Sequence, residues 1–191
     1  MEPEQAQSPE VSSKPGPLRK WSADRLLGIS AISVSFMTFL VLIYQTQIIR
    51  EQQLLAALPY LQTGNMGFSS PNYTFYLKNE GVGPAFIEDI VIKYKGEIWE
   101  GKDLAEFLMA ANPEVNQLPN IYYSNIKPGM LIPAGGSLSV IDVRQDHQTS
   151  LRFAEILSQY KKEGYGFELI YSSAYGEKWK ITDESIAPEK L

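Results

Sequence analysis

The sequence predicts a mainly β protein carried on a single N-terminal transmembrane helix, with a helical stalk leading into an antiparallel β-sandwich that holds two inserted α-helices. Three observations predict this. Leu26 to Tyr44 is a run of 19 residues without a formal charge, which at about 1.5 Å per helical residue comes close to the roughly 30 Å of a bilayer's hydrocarbon core. Beyond it, short stretches alternate apolar and polar residues and are separated by Gly, Pro and Asn turns, the pattern of half-buried strands. Neighbouring hairpins without a strand-helix-strand rhythm favour an antiparallel over a parallel sheet.

The expected organisation of the 191 residues is a disordered tail over 1–22, a membrane helix and stalk over 23–58, a β-sandwich domain over 59–186 and a C-terminal tail over 187–191. The first segment holds Pro3, Pro9, Pro15 and Pro17 with almost nothing apolar to bury. Such composition cannot offset its ordering entropy. The domain is of the commonest size and long enough for one sizeable core.

A cleaved signal peptide has a shorter apolar region followed by a small-residue cleavage site. Here Gln45, Thr46, Gln47, Ile48, Ile49 and Arg50 follow instead, so a retained anchor is expected. Lys14, Arg19, Lys20 and Arg25 precede the helix, and only Arg50 follows it before Lys78. Basic residues stay on the cytoplasmic side, which puts the N terminus inside and the domain outside, in the periplasm of a bacterial inner membrane. Trp21 and Tyr44 suit the two interfacial belts. Gly28, Ala31, Ser35 and Thr38 fall on one stripe at spacings of 3, 4 and 3. Small residues let membrane helices approach closely, so the stripe fits self-association or pairing with another membrane helix, although such residues are common in membrane helices in any case. Helical composition continues to Leu58, and Pro59 stops it.

Tyr73, Phe75 and Leu77 alternate with polar partners as a strand. Asn79 to Ala85 is a turn whose Gly81 and Gly83 free the backbone and whose Pro84 fixes the way into the next strand. Phe86 to Tyr94 follows, with Phe86, Ile90, Ile92 and Tyr94 on one face, and Lys95-Gly96 makes a hairpin into Glu97 to Trp99. Asp103 with Glu106 forms a capping box for a helix that buries Leu104, Phe107, Leu108 and Ala111 and stops before Pro113. Asn112 to Pro133 reads as a long loop with a short strand at Ile121 to Tyr123. A strand at Ser137 to Val143 precedes a second helix, about Ser150 to Glu163, which buries Phe153, Ile156, Leu157 and Tyr160 and ends in Lys161, Lys162 and Gly164. Two last strands, Gly166 to Ser172 and Lys178 to Asp183, close the domain. The two helices are expected to cover an edge or an end of an Ig-like sandwich.

Several of these pieces recur together. Arg50, Gln52 and Gln53 are followed by Pro59, Tyr60 and Leu61, then by Asn79, Gly81, Gly83, Pro84, Ala85 and Ile87, and later by the hairpin of Tyr171 to Trp179. The chain resembles a bacterial family of uncharacterised single-pass membrane proteins marked by a Pro-Tyr-Leu step and an N-x-G-x-G-P-A-x-I turn. The resemblance implies a sandwich outside the membrane and no catalytic site.

Chemistry is sparse. There is no cysteine, which removes disulfides, thiol catalysis and Cys-type zinc sites. From Gln45 onward 13 basic residues stand against 18 acidic ones, with no basic stripe for nucleic acid. The single histidine, His147, lies near Asp142 and Asp146, but carboxylates just before a helix usually cap it and one His without spaced partners fits no standard metal set. Glu88 and Asp89 are strand neighbours that point to opposite faces. No phosphate loop or nucleophile elbow is present. Tyrosine is plentiful and favoured at contact surfaces, which singles out Tyr122 and Tyr123 as an interaction patch. These features imply a membrane-integral, non-enzymatic interaction module without a cofactor, which meets another envelope protein or its own copies. The alternatives are a sensing or carrier domain for a small envelope ligand, which needs an apolar cavity, and an enzyme with a site at Asp142, Asp146 and His147.

Overall fold

The computed structural model describes residues 22–67 and 70–191. The expected tail up to Lys20, and Trp21, expected at an interfacial belt, lie outside the described residues. A long apolar N-terminal helix is followed by antiparallel sheets and two further α-helices, a mixed α/β chain with a β-rich body. The segment up to Ile48 and the segment from Ile49 onward are separate compact units.

Helix α1, Ala23–Ala56, has 34 residues, none of them buried. It is long and apolar enough to cross a membrane. Two hydroxyls of the small-residue stripe are paired locally: Ser35 donates to the Ala31 carbonyl at 2.8 Å and Thr38 to the Val34 carbonyl at 2.9 Å. Neither therefore presents an unpaired donor to an apolar surrounding.

The body holds two sheets. In the first, β1 (Leu61–Met66) pairs with β2 (Tyr73–Asn79), β2 with β7 (Ser137–Val143), and β7 with β5 (Ile121–Tyr123). In the second, β3 (Ala85–Tyr94) lies between β8 (Gly166–Ser172) and β4 (Glu97–Glu100), and β9 (Lys178–Thr182) and β10 (Glu189–Lys190) extend the β8 side. The two-residue β6 (Leu131–Ile132) pairs with the start of β3. All the pairings are antiparallel. The β3–β4 turn has Lys95 at φ 52° and Gly96 at φ 81°. Two successive left-handed residues give the turn whose twist matches the flanking strands.

The sheets meet through side chains. Phe75 of β2 sets its ring edge-on to Phe167 of β8 at 6.4 Å, and the Leu61 amide of β1 donates to the Tyr171 hydroxyl of β8 at 3.3 Å. The helices do more than cover an edge. In α2 (Leu104–Ala111) the capping box of Asp103 and Glu106 is formed, and Phe107, 0% exposed, is the hub of an aromatic cluster. Around it sit Tyr94, Trp99, Tyr160 of α3 (His147–Lys162) and Tyr165, with ring centroids 5.2–5.8 Å away. Each such pair adds about 0.5–1.5 kcal/mol beyond area burial.

Four readings of the sequence are corrected here. The face of β3 is Ile87, Ile90 and Ile92, with Phe86 turned outward. A bulge between Ile87 and Asp89 inserts one residue and shifts the alternation, which also leaves Glu88 and Asp89 both exposed. Helix α3 begins at His147, three residues earlier than expected, because Asp146 caps it through the Thr149 amide. Glu189 and Lys190, expected to trail as a tail, pair with Lys180 and Trp179. Finally, β1 was not foreseen and exists through its pairing with β2.

The Pro-Tyr-Leu step and the glycine-rich turn form one clasp. Asn79, 0% exposed, accepts the Tyr60 and Gly81 amides on Oδ1, both at 3.0 Å, and donates Nδ2 to the carbonyls of Gly83 (2.8 Å) and Ile132 (3.1 Å). The Leu58 carbonyl accepts the Val82 and Gly83 amides at 3.0 and 3.1 Å. A Cβ on Gly83 would run into the backbone of Ala57. The motif is therefore explained by backbone satisfaction and close approach.

Candidate functional site

Leu26 and Tyr44, the ends of the uncharged run, both lie within α1 and are exposed. Gly28, Ala31, Ser35 and Thr38 are also on α1 and exposed, and a Cβ added to Gly28 would meet nothing within 4 Å. The stripe is open, and the hydroxyls on it are already bonded to their own helix.

Tyr122 and Tyr123 lie on β5, opposite Asp142 and Ile141 of β7. As strand neighbours they diverge. Tyr122 is 51% exposed and carries the Arg144 guanidinium over its ring at 4.5 Å. Tyr123 packs against the core, its hydroxyl is buried without a partner among the described residues, and burial pushes its pKa up. Only Tyr122 is thus offered to a surface contact.

Of the three residues offered as an acid-base or metal site, the two carboxylates are engaged elsewhere. Asp142 accepts from the Thr74 hydroxyl at 2.9 Å and from Arg144 Nε at 2.6 Å. Asp146 accepts the Thr149 amide and hydroxyl, both at 2.9 Å, and the amide bond chiefly holds its carboxyl below the usual range. His147 is exposed at the first position of α3. Among the described residues no three metal-ligating side chains come together.

The concave feature of the body lies elsewhere. A cavity of about 620 Å³ sits between β1, β2, the last turns of α3 and the start of β8. Phe75, Leu157 and Phe167 are among its apolar lining residues, and Asn65, Ser158, Lys161, Lys162 and Asp183 among its polar ones. Tyr73 and Tyr165 also border it. Tyr73 donates its hydroxyl to Asn65 Oδ1 at 2.8 Å, and burial pushes its pKa up to about 12. Tyr165 stacks on Phe107, and its hydroxyl is buried with no partner among the described residues. By contrast the centre between the sheets is filled: Leu104, Leu77, Ile90 and Leu169 leave only about 10 Å³ between them. Sequence reasoning missed this cavity because its walls come from segments more than a hundred residues apart. The visible trace was the Lys161, Lys162, Tyr165 cluster, which helix-ending rules already explained.

Compared with family models, with curated proteins and with solved structures, the chain matches none.

Proposed function

We propose that the chain is a membrane-tethered, non-enzymatic binding module. The observation that carries this reading is α1: 34 residues, none buried, with an apolar window long enough to span a bilayer. Its uncharged run, Leu26 to Tyr44, has 19 residues, longer than the roughly 7–15-residue apolar region of a signal peptide. A core helix of a water-soluble domain would be mostly buried. The charge asymmetry supports an N terminus inside and a body in the periplasm of a bacterial envelope. Contacts such as Phe75 on Phe167 support reading the two sheets as the Ig-like sandwich of the single-pass family that the Pro-Tyr-Leu step and glycine-rich turn resemble.

In this reading the tether concentrates a binding face near the membrane, where it meets another envelope protein or a second copy. The stripe of Gly28, Ala31, Ser35 and Thr38 is the proposed association face in lipid. Because the chain has no cysteine, Gly28→Cys and Ser35→Cys variants give a clean test by oxidative cross-linking in membranes. A dimer or a partner adduct at these positions, absent for Cys on the opposite helix face, supports the proposal. No adduct at either position removes the stripe from it.

A further inference from the structure

The cavity beneath α3 is within the roughly 300–1,000 Å³ span of small-molecule sites. Its lining carries two ammonium groups, Lys161 and Lys162, against one carboxylate, Asp183. No ion pair ties Lys161 or Lys162 to a carboxylate among the described residues. Asp183, the carboxylate in the lining, already accepts the Phe167 amide at 3.2 Å. The Tyr165 hydroxyl is buried with no partner among the described residues and is closed to the cavity. Burial, with the charge of Asp183 and Tyr73 nearby, pushes its pKa up, so it keeps its proton at neutral pH. The position of the two lysines in the last turn of α3 complements the helix dipole. That accounts for their charge but not for their bordering a cavity.

We infer that this cavity binds a small amphipathic anion, its aromatic or aliphatic body against Phe75, Leu157 and Phe167 and its carboxylate or phosphate head at Lys161 and Lys162. Cations are disfavoured by the two ammonium groups, and a fully apolar molecule would make no charge-assisted bond with them. The inference concerns the body alone and stands or falls apart from the tether.

The test is photo-cross-linking of the full chain in lipid nanodiscs with two probes, a diazirine-bearing phenylbutanoate and a diazirine-bearing fatty acid, each beside its neutral amide. The expected result is saturable labelling by at least one acid, competed by the unlabelled acid, with the label mapped by mass spectrometry to the 157–162 or 165–167 segment. Labelling by the phenyl acid alone points to a soluble source, and labelling by the fatty acid alone points to a membrane lipid. Ser158→Trp, at an exposed position on the rim, should reduce labelling about tenfold by occlusion, and Lys161→Glu with Lys162→Glu should weaken it to a similar degree by charge reversal. Equal labelling by acid and amide, a label mapping elsewhere, or no labelling by either acid overturns the inference.

Discussion

The side-chain oxygen of Asn79 accepts the backbone amide of Tyr60 at 3.0 Å, joining the last residue of β2 to the step that follows α1. With its other three bonds, one carboxamide satisfies four groups on three chain segments. Asn79→Ala removes all four partners at a buried site and is expected to cost roughly 2–4 kcal/mol, since orphaned buried groups lose more than the bonds contributed. Urea unfolding of the full chain in nanodiscs, followed by Trp fluorescence, reads this. An unchanged midpoint would mean that the clasp is not structural.

Gly83→Ala tests the close approach on the other side of the same clasp. The added methyl overlaps the Ala57 backbone, which cannot rotate away as a side chain would. A loss of about 1–3 kcal/mol is expected from the overpacking. Gly64→Ala is the control, because its Cβ would meet the Tyr76 side chain, which has freedom to move. It should cost less in the same assay.

Tyr165→Phe should stabilise the unliganded protein. The hydroxyl is buried with no partner among the described residues, so its removal abolishes a desolvation cost while the ring stays stacked on Phe107. A gain on the order of 1 kcal/mol is expected, visible as a rise of several degrees in Tm. A fall in Tm would show that the hydroxyl is satisfied in solution.

Glu163 supplies a pH dependence. Its carboxylate accepts the Tyr94 hydroxyl, then Gln159 Nε2 at 2.9 Å and Lys95 Nζ at 2.9 Å, and these bonds, in that order of effect, hold its pKa down at about 2 against an ordinary 4.5. A depressed folded pKa contributes stability that is present above pH 4.5 and lost as pH falls towards 2. The Tm difference between wild type and Tyr94→Phe should therefore be greatest above pH 4.5 and shrink towards pH 2. A difference that stays constant with pH would assign the effect of Tyr94 to ring packing alone.

Much of the β-rich body was legible because local signals agreed with tertiary packing. Asp103 and Glu106 announce α2, and Lys95-Gly96 announces the β3–β4 turn, through short-range geometry that packing left intact. What failed needed partners distant in sequence. Leu61 to Met66, LQTGNM, has neither alternation nor strong β propensity, and its strand exists because β2 offers it a register from Asn79 to Thr74. The inward face of β3 depended on a bulge set by β8, and the pairing of Glu189 with β9 depended on an edge that no local pattern reveals. The candidate site was the least legible. Tyr122 and Tyr123 stood out by type, yet the cavity draws on Phe75, Leu157 and Tyr165, each unremarkable within its own segment.

The central claim, a body held across a membrane from its N terminus, is tested most directly by single-cysteine topology in a chain with no native cysteine. Ile186→Cys places a thiol at a residue 94% exposed in the body, and Ser12→Cys places one in the N-terminal segment. With a membrane-impermeant maleimide on intact spheroplasts, labelling at position 186 and protection at position 12 until the membrane is permeabilised is the predicted result. Protection at 186 with labelling at 12, or labelling of neither site without permeabilisation, would contradict the account.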